Sequence, residues 1–255
     1  MRVLFFGDLV GKPALTLLLE RLPGLKQQWA ADAVVVNGEN VTNGAGIKPE
    51  AADALLEGGV DVITTGNHVW KFREIYRYLD EEPRVLRPFN LLPENPGRGL
   101  VVVDTPAGRL GVINLLGQLY LQPARSPFHV IDEALEQLSG VRNVIVDLHA
   151  EATSEKVAIG WYLDGEVSAV LGTHTHVRTG DARILPDGTG YLTDVGMCGS
   201  RDGIIGVKRE AVMERFLNLL PSRFEVATEN LWLEGVFLEF GEDGKTWAIQ
   251  PFEVN

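Results

Sequence analysis

The 255-residue chain contains a single cysteine, Cys198, and only five histidines. One cysteine excludes an intramolecular disulfide, and a lone thiol suits a reducing compartment, so a cytoplasmic location is expected. No apolar run approaches the roughly 20 residues that cross a bilayer, so neither a membrane span nor a membrane partner is expected. The opening MRVLFFGDLVGKP has a short apolar run but no signal-peptide cleavage region, and it reads as a first strand. Positive charge is also scarce. Lys and Arg total 23 against 35 Asp and Glu, a net charge of −12, and no basic cluster appears. A binder of long nucleic acid needs a basic face to replace counterions, so that class is excluded. A small anionic substrate remains open where a metal supplies local positive charge. The rest is an ordinary globular composition, 45% hydrophobic and 23% charged, sufficient for a buried core.

Short β-rich runs alternate with helical patterns. RVLFFG (2–7), AVVVNG (33–38), DVITTG (61–66), NVIVDLHA (143–150) and VSAVLGTH (167–174) read as strands bounded by turn residues. Amphipathic segments near 13–29, 49–58 and 70–80 read as helices, with Pro13 and Pro49 suited to first turns. This spacing predicts a largely parallel sheet covered by helices. Residues 99–115 read as two strands joined at Pro106-Ala107-Gly108. Residues 233–254 repeat the device around Gly241-Glu242-Asp243-Gly244. The pattern implies a mixed sheet or two packed sheets, an α/β fold. With no linker and no internal repeat, residues 1–255 are expected to form a single domain.

The residues just past each strand carry the chemistry. The successive strand ends deliver Asp8, then Glu39 and Asn40, then Asn67 and His68, then His149, then His174 and His176. In open α/β sheets, ligands bind outside the carboxyl ends of the strands. Each piece alone is weak. Gly-Asp is turn chemistry, Asn-Gly-Glu-Asn is a turn, Gly-Asn-His is a helix cap, and paired histidines at i and i+2 can be polar dressing on one strand face. The set is not weak, since four of the five histidines converge with carboxylates and amides. His129, at a helix start, is the outsider and reads as structural or solvent-facing. Imidazole mixed with carboxylate and amide oxygen suits Fe, Mn or Zn. Seven candidates (Asp8, Glu39, Asn40, Asn67, His149, His174 and His176) are too many for one tetrahedral zinc and suit two metals sharing a carboxylate. Such a pair clamps the attacking and leaving oxygens of a phosphoryl displacement, with a bridging water as nucleophile. His68, beside a ligand, is placed to be the general acid.

These residues, GD at 7–8, NGEN at 37–40, GNH at 66–68, His149 and GTHTH at 172–176, resemble the calcineurin-like metallophosphoesterases. The longer stretches FFGDLVGKP, VVNGENVTNGAGI, TTGNHVW, DLHAEATSEK and GTHTHVRTGDARILPDGTGYLTDVGMCGSRDGIIG resemble the YmdB family of bacterial phosphodiesterases, from the first residues to about residue 210. The resemblance implies a metallophosphoesterase-type sandwich of two mixed β-sheets flanked by helices. It implies a dinuclear site with iron foremost, and manganese or zinc as alternatives. By carry-over, Asp8, Glu39, Asn40 and His176 would hold one metal and Glu39, Asn67, His149 and His174 the other, with Glu39 bridging and His68 donating the proton. It implies phosphodiester hydrolysis, with 2′,3′-cyclic nucleotides among the substrates, and self-association into a homo-oligomer. The first strand departs from the broader superfamily: Asp8-Leu9-Val10 lacks the usual histidine, and Glu39-Asn40 stands where Gly-Asp is usual. Both departures match the YmdB branch, and exchanging imidazole for amide makes that metal site harder.

Other features are less decisive. Asn43 to Ile47 reads equally as a flexible turn or a substrate-facing loop. Thr153 and Ser154 read as cap residues of the helix after His149, with Glu155 and Lys156 in its first turn. Arg178 and Arg183 could meet a phosphate or pair with Asp181. Residues 194–203 are expected to form a loop over the site. Cys198 is assigned no catalytic role, and Trp70 reads as packing. Two competing functions stand beside the phosphodiesterase: a phosphomonoesterase or protein phosphatase of the same superfamily, and a catalytically silent metal-binding regulatory protein.

Overall fold

A computed structural model describes residues 1–255. In chain order it runs β1 (Arg2–Phe6), β2 (Asp8–Leu9), α1 (Gly11–Trp29), β3 (Ala33–Asn37), α2 (Pro49–Glu57), β4 (Val62–Thr64), α3 (Glu74–Glu81), β5 (Leu100–Thr105) and β6 (Gly108–Leu116). It continues through α4 (Pro127–Gln137), β7 (Asn143–His149), α5 (Thr153–Tyr162), β8 (Ala169–Thr173), β9 (Arg183–Ile184), β10 (Gly190–Leu192), β11 (Met197–Ser200), α6 (Arg209–Asn218), β12 (Leu231–Phe240) and β13 (Thr246–Val254).

The strands form two mixed sheets. One has seven strands in the order β2-β11-β12-β1-β3-β4, with β13 also paired to β12. The other has six, in the order β5-β6-β7-β8-β10-β9. Each keeps a parallel centre: β1-β3-β4 in the first and β6-β7-β8-β10 in the second. Both expected hairpins are present as the antiparallel pairs β5–β6 and β12–β13. Alternating side chains assign the faces. Val3, Phe5, Ala33 and Val35 turn toward the second sheet and meet Leu110, Val112, Ile145 and Leu171 in the layer between sheets. Leu4, Phe6, Val34 and Val36 turn outward under Leu18 and Leu22 of α1 and Leu55 of α2. On the far side, Leu115, Val146 and Leu148 pack beneath Ile131 of α4 and Ile159 of α5. The result is an α/β sandwich of two mixed sheets flanked by helices, as the resemblance implied. Its parallel centres present their carboxyl ends to one edge. No helix is long and apolar enough to cross a membrane.

Four local expectations are corrected. The helix expected near 70–80 begins only at Glu74, because residues 66–71 are spent on tight turns closed by Val69 N–H to Gly66 O and Lys71 N–H to His68 O. The N-cap of α5 is Ala152, without a side-chain cap, and Thr153 and Ser154 lie exposed. Glu155 instead turns inward to accept the Gln118 and Leu119 N–H groups. Residues 194–203 are not a covering loop, since their centre is β11, paired with β2 and β12. The 43–47 segment is a packed turn rather than a flexible one: Thr42 N–H meets Gly46 O at 2.9 Å, and Ile47 is fully buried.

Candidate metal centre

All eight predicted site residues are brought together at that common edge. Asp8 follows the close pass of Gly7 against Gly196, where any Cβ would collide with the Gly196 carbonyl. Glu39 and Asn40 follow β3, Asn67 and His68 follow β4, His149 ends β7, and His174 and His176 follow β8. Gly66 is required for closeness, since a side chain there would strike both the His149 ring and the Glu39 carboxylate.

Glu39 lies at the middle. Its Oε1 is 3.1 Å from His149 Nε2 and 3.1 Å from His68 Nδ1, and its Oε2 accepts the His68 N–H at 3.1 Å. His149 Nε2 also lies 3.1 Å from Asn67 Oδ1 and 3.0 Å from His174 Nδ1. On the other side, Asp8 Oδ1 is 3.6 Å from His176 Nε2, and Asn40 Nδ2 is 3.1 Å from the same nitrogen. Asp8 Oδ2 accepts the His174 N–H at 2.9 Å. His174 and His176 adopt φ of 98° and 61°, backbone that non-glycine residues rarely hold, and such strain persists where the surroundings over-determine it.

The electrostatics follow from burial and pairing. Burial alone would raise the Glu39 carboxyl, but His149 and His68 hold it well below its usual range. Burial likewise opposes ionisation of Asp8, and His176 and His149 outweigh it, lowering its pKa. His149 loses by burial but is raised to about 9 by Glu39, Asp8 and Asp147. His174 is pushed down to about 4 by burial and by His149. It therefore offers a neutral imidazole, the form that binds metals.

These residues fit a metal. Glu39 Oε1 is buried and makes no hydrogen bond, although two imidazoles approach it. One donor atom from each of Glu39, His149 and His174 lies within 4.8 Å of the others. A buried carboxylate oxygen crowded by imidazole nitrogens without a directed N–H is a donor set that could hold a cation, and its ligand types suit first-row ions.

Supporting residues surround the set. Thr173 Oγ1 donates to Asp147 Oδ1 at 2.7 Å and lies 2.9 Å from His149 Nδ1. With its proton given to Asp147, the hydroxyl accepts from Nδ1–H, which turns Nε2 toward Glu39. Asp147 also takes Asn37 Nδ2 at 3.0 Å and the Thr64 hydroxyl. Its carboxyl is raised by burial to about 6 despite these donors. The His174–His176 turn is held from beneath by Asp194, which takes the Thr175 N–H at 3.1 Å, the Thr175 hydroxyl at 2.7 Å and Lys156 Nζ at 2.7 Å. Sequence reasoning missed these roles. Asp147 stands at i−2 from His149 on the same strand face, a spacing that signals proximity. For Lys156 and Asp194, 38 residues apart, no spacing does.

The arginine expectations are corrected. Arg178 pairs with Glu253 at 2.8 Å, and Arg183 lies over the rings of Trp161 and Tyr191. Neither pairs with Asp181, which takes the Thr179 and Thr193 hydroxyls instead. Cys198 is buried, and burial pushes its thiol up, in keeping with no catalytic role. His129 is exposed on α4, away from the cluster.

Comparison with known proteins places this geometry. The chain is 44% identical over 246 residues to the 2′,3′-cyclic-nucleotide 2′-phosphodiesterase of Bacillus subtilis (strain 168), covering 96% of this chain and 93% of that protein. A crystal structure of a hypothetical protein from Thermus thermophilus superposes with a TM-score of 0.94 at 41% identity, covering 100% of this chain and 99% of the other. A crystal structure described as a novel phosphatase of Mycoplasma pneumoniae superposes with a TM-score of 0.92 at 35% identity, covering 100% and 93%. The family model described as YmdB-like protein matches residues 4–252, so the chain belongs to the YmdB-like family.

Proposed function

We propose that this protein is a metal-dependent phosphodiesterase that hydrolyses small phosphodiesters, 2′,3′-cyclic nucleotides among them, with His68 as general acid. The observation that carries the reading is the buried Glu39 carboxylate, without a hydrogen bond on Oε1 and grouped with His149 and His174. The activity named for the Bacillus subtilis relative supports the substrate class.

Asp8, Glu39, Asn40 and His176 would hold one ion and Glu39, Asn67, His149 and His174 the other, with Glu39 in common. Asn40 turns Nδ2 toward His176 and Oδ1 toward His68, 2.9 Å away, so serving as a ligand requires its amide to rotate. Two ions per chain are expected, iron foremost, with manganese or zinc as alternatives. When bound, the pair supplies Lewis-acid charge that neutralises the phosphoryl oxygens and activates water.

The chain's own residues do the rest. The set is held dry from beneath by Asn37, Asp147 and Thr173, all fully buried. His68 differs, with its side chain 40% exposed at the rim. Its Nδ1 is turned inward, 2.9 Å from Asn40 Oδ1 and 3.1 Å from Glu39 Oε1, which leaves Nε2 to face the leaving group. Water oxygen joins phosphorus, the bond from phosphorus to one ester oxygen breaks, and His68 gives that oxygen its proton. The product is a phosphomonoester. Both sheets contribute to the set, so residues 1–255 act as one domain. The lone buried thiol fits a cytoplasmic setting.

Steady-state turnover of 2′,3′-cAMP, bis(p-nitrophenyl) phosphate and p-nitrophenyl phosphate tests the reading. Turnover of the diesters above the monoester is expected. Strong preference for p-nitrophenyl phosphate would make it a phosphomonoesterase, and bound metal without any turnover a regulatory protein.

A further inference from the structure

Trp70 lies two residues beyond His68 in the turn closed by Lys71 N–H to His68 O at 2.9 Å. It is one wall of a cavity of about 500 Å³, whose other surfaces include Leu91, Leu92, Pro123, Asn95, Gln122 and Arg125. That volume is in the range of small-molecule sites, and the lining mixes apolar surface with amide and guanidinium groups. Resting on the phosphodiesterase reading, we propose that this cavity is the nucleobase subsite. Trp70 is its stacking platform, and the Asn95 and Gln122 amides face the base edge.

Three observations carry this. The platform is rigidly mounted: the Trp70 ring meets Tyr76 edge-on at 5.2 Å, and the Tyr76 hydroxyl donates to the Trp70 carbonyl at 3.2 Å. A preformed aromatic wall binds a flat base without first being ordered. The opposite wall is equally preformed. Asn90 Nδ2 donates to Leu116 O and to Arg125 O, each at 2.7 Å, and Asn90 Oδ1 accepts the Leu116 N–H at 2.8 Å. This ties the 90–95 segment to the 122–125 segment. Finally, Leu92 is 61% exposed at the mouth of the cavity, an apolar surface that a bound base would cover. Two residues of chain span at most about 7 Å, so the His68 and Trp70 backbones are neighbours, and the proposal sets the nucleoside of a phosphate beside His68 against the Trp70 ring.

The test compares two cyclic diesters, 2′,3′-cAMP and the base-free glycerol 1,2-cyclic phosphate. In the wild type, kcat/KM should favour 2′,3′-cAMP. In Trp70→Ala that preference should fall about tenfold, carried by KM and not kcat, with Trp70→Phe restoring most of it. Gln122→Ala and Leu92→Asp lie at the surface and keep the test alive if Trp70→Ala fails to fold; each should lower the preference about two- to fivefold. A wild type that hydrolyses both diesters without preference, or variants that leave the ratio unmoved, would overturn the subsite while the phosphodiesterase reading stands. A wild type that hydrolyses neither would overturn that reading first, and the subsite with it.

Discussion

His68 and His149 approach the same Glu39 oxygen at 3.1 Å from different surroundings. His149 is enclosed, and His68 opens to solvent. His68→Ala is therefore expected to keep its metal and lose turnover by about 10²–10⁴-fold, the usual worth of a positioned proton donor. Elemental analysis beside steady-state kinetics checks it, and loss of metal would make His68 a ligand instead. His149 gives a signed pH dependence. Its imidazole is raised from 6.5 to about 9, so near neutral pH it carries a proton that a metal must displace. Metal uptake should release that proton and tighten as pH rises toward 9, measurable by calorimetry in buffers of different ionisation enthalpy. In chelator-treated protein the sign reverses. A raised imidazole stabilises the fold below 6.5, and that contribution is lost as pH rises through about 9, so the melting temperature should fall over that window. At this scale the residues that gather at the sheet edge were legible, because chemically distinctive residues follow recognisable strands. Asp147, Thr173 and Asp194 were not, because an ordinary Asp or Thr gains its meaning from burial and from which atoms face it.

The elements show why so few residues suffice. The turn after β8 carries two histidines in strained backbone, and its support is the Lys156–Asp194 pair, which is almost wholly buried. Burial raises the Asp194 carboxyl, and Lys156 offsets that only in part. Removing the lysine leaves the charge without its partner. Lys156→Met is thus expected to cost about 3–5 kcal/mol in denaturant unfolding and to weaken metal retention. Unfolding within about 1 kcal/mol of the wild type would show that the pair is not a support. Strand periodicity made most elements legible. The start of α3 was not, because the tight turns around Asn67 and His68 delay it, and β11 was not, because MCGS reads as a glycine-rich loop until β2 and β12 pair with it.

Across the whole molecule, the site belongs to the seam between the sheets. Asp8, Glu39, Asn40, Asn67 and His68 come from the first and His149, His174 and His176 from the second. The division of strands between the sheets was not legible in the residues alone. β1 pairs with β12 although nearly the whole chain lies between them, and no local pattern states that partnership; the two-sheet sandwich came from the resemblance. The resemblance implies a bridging role for Glu39, and the seam gives that carboxylate neighbours from both sheets: its Oε1 lies 3.1 Å from His68 of its own sheet and 3.1 Å from His149 of the other. The most direct measurement is the metal content of purified wild type and Glu39→Ala by elemental analysis. About two first-row ions per chain in the wild type, with both lost in the variant, is the expected result. Loss of one ion alone would contradict the bridge, and a wild type that takes up no metal after reconstitution with iron or manganese would contradict the centre itself.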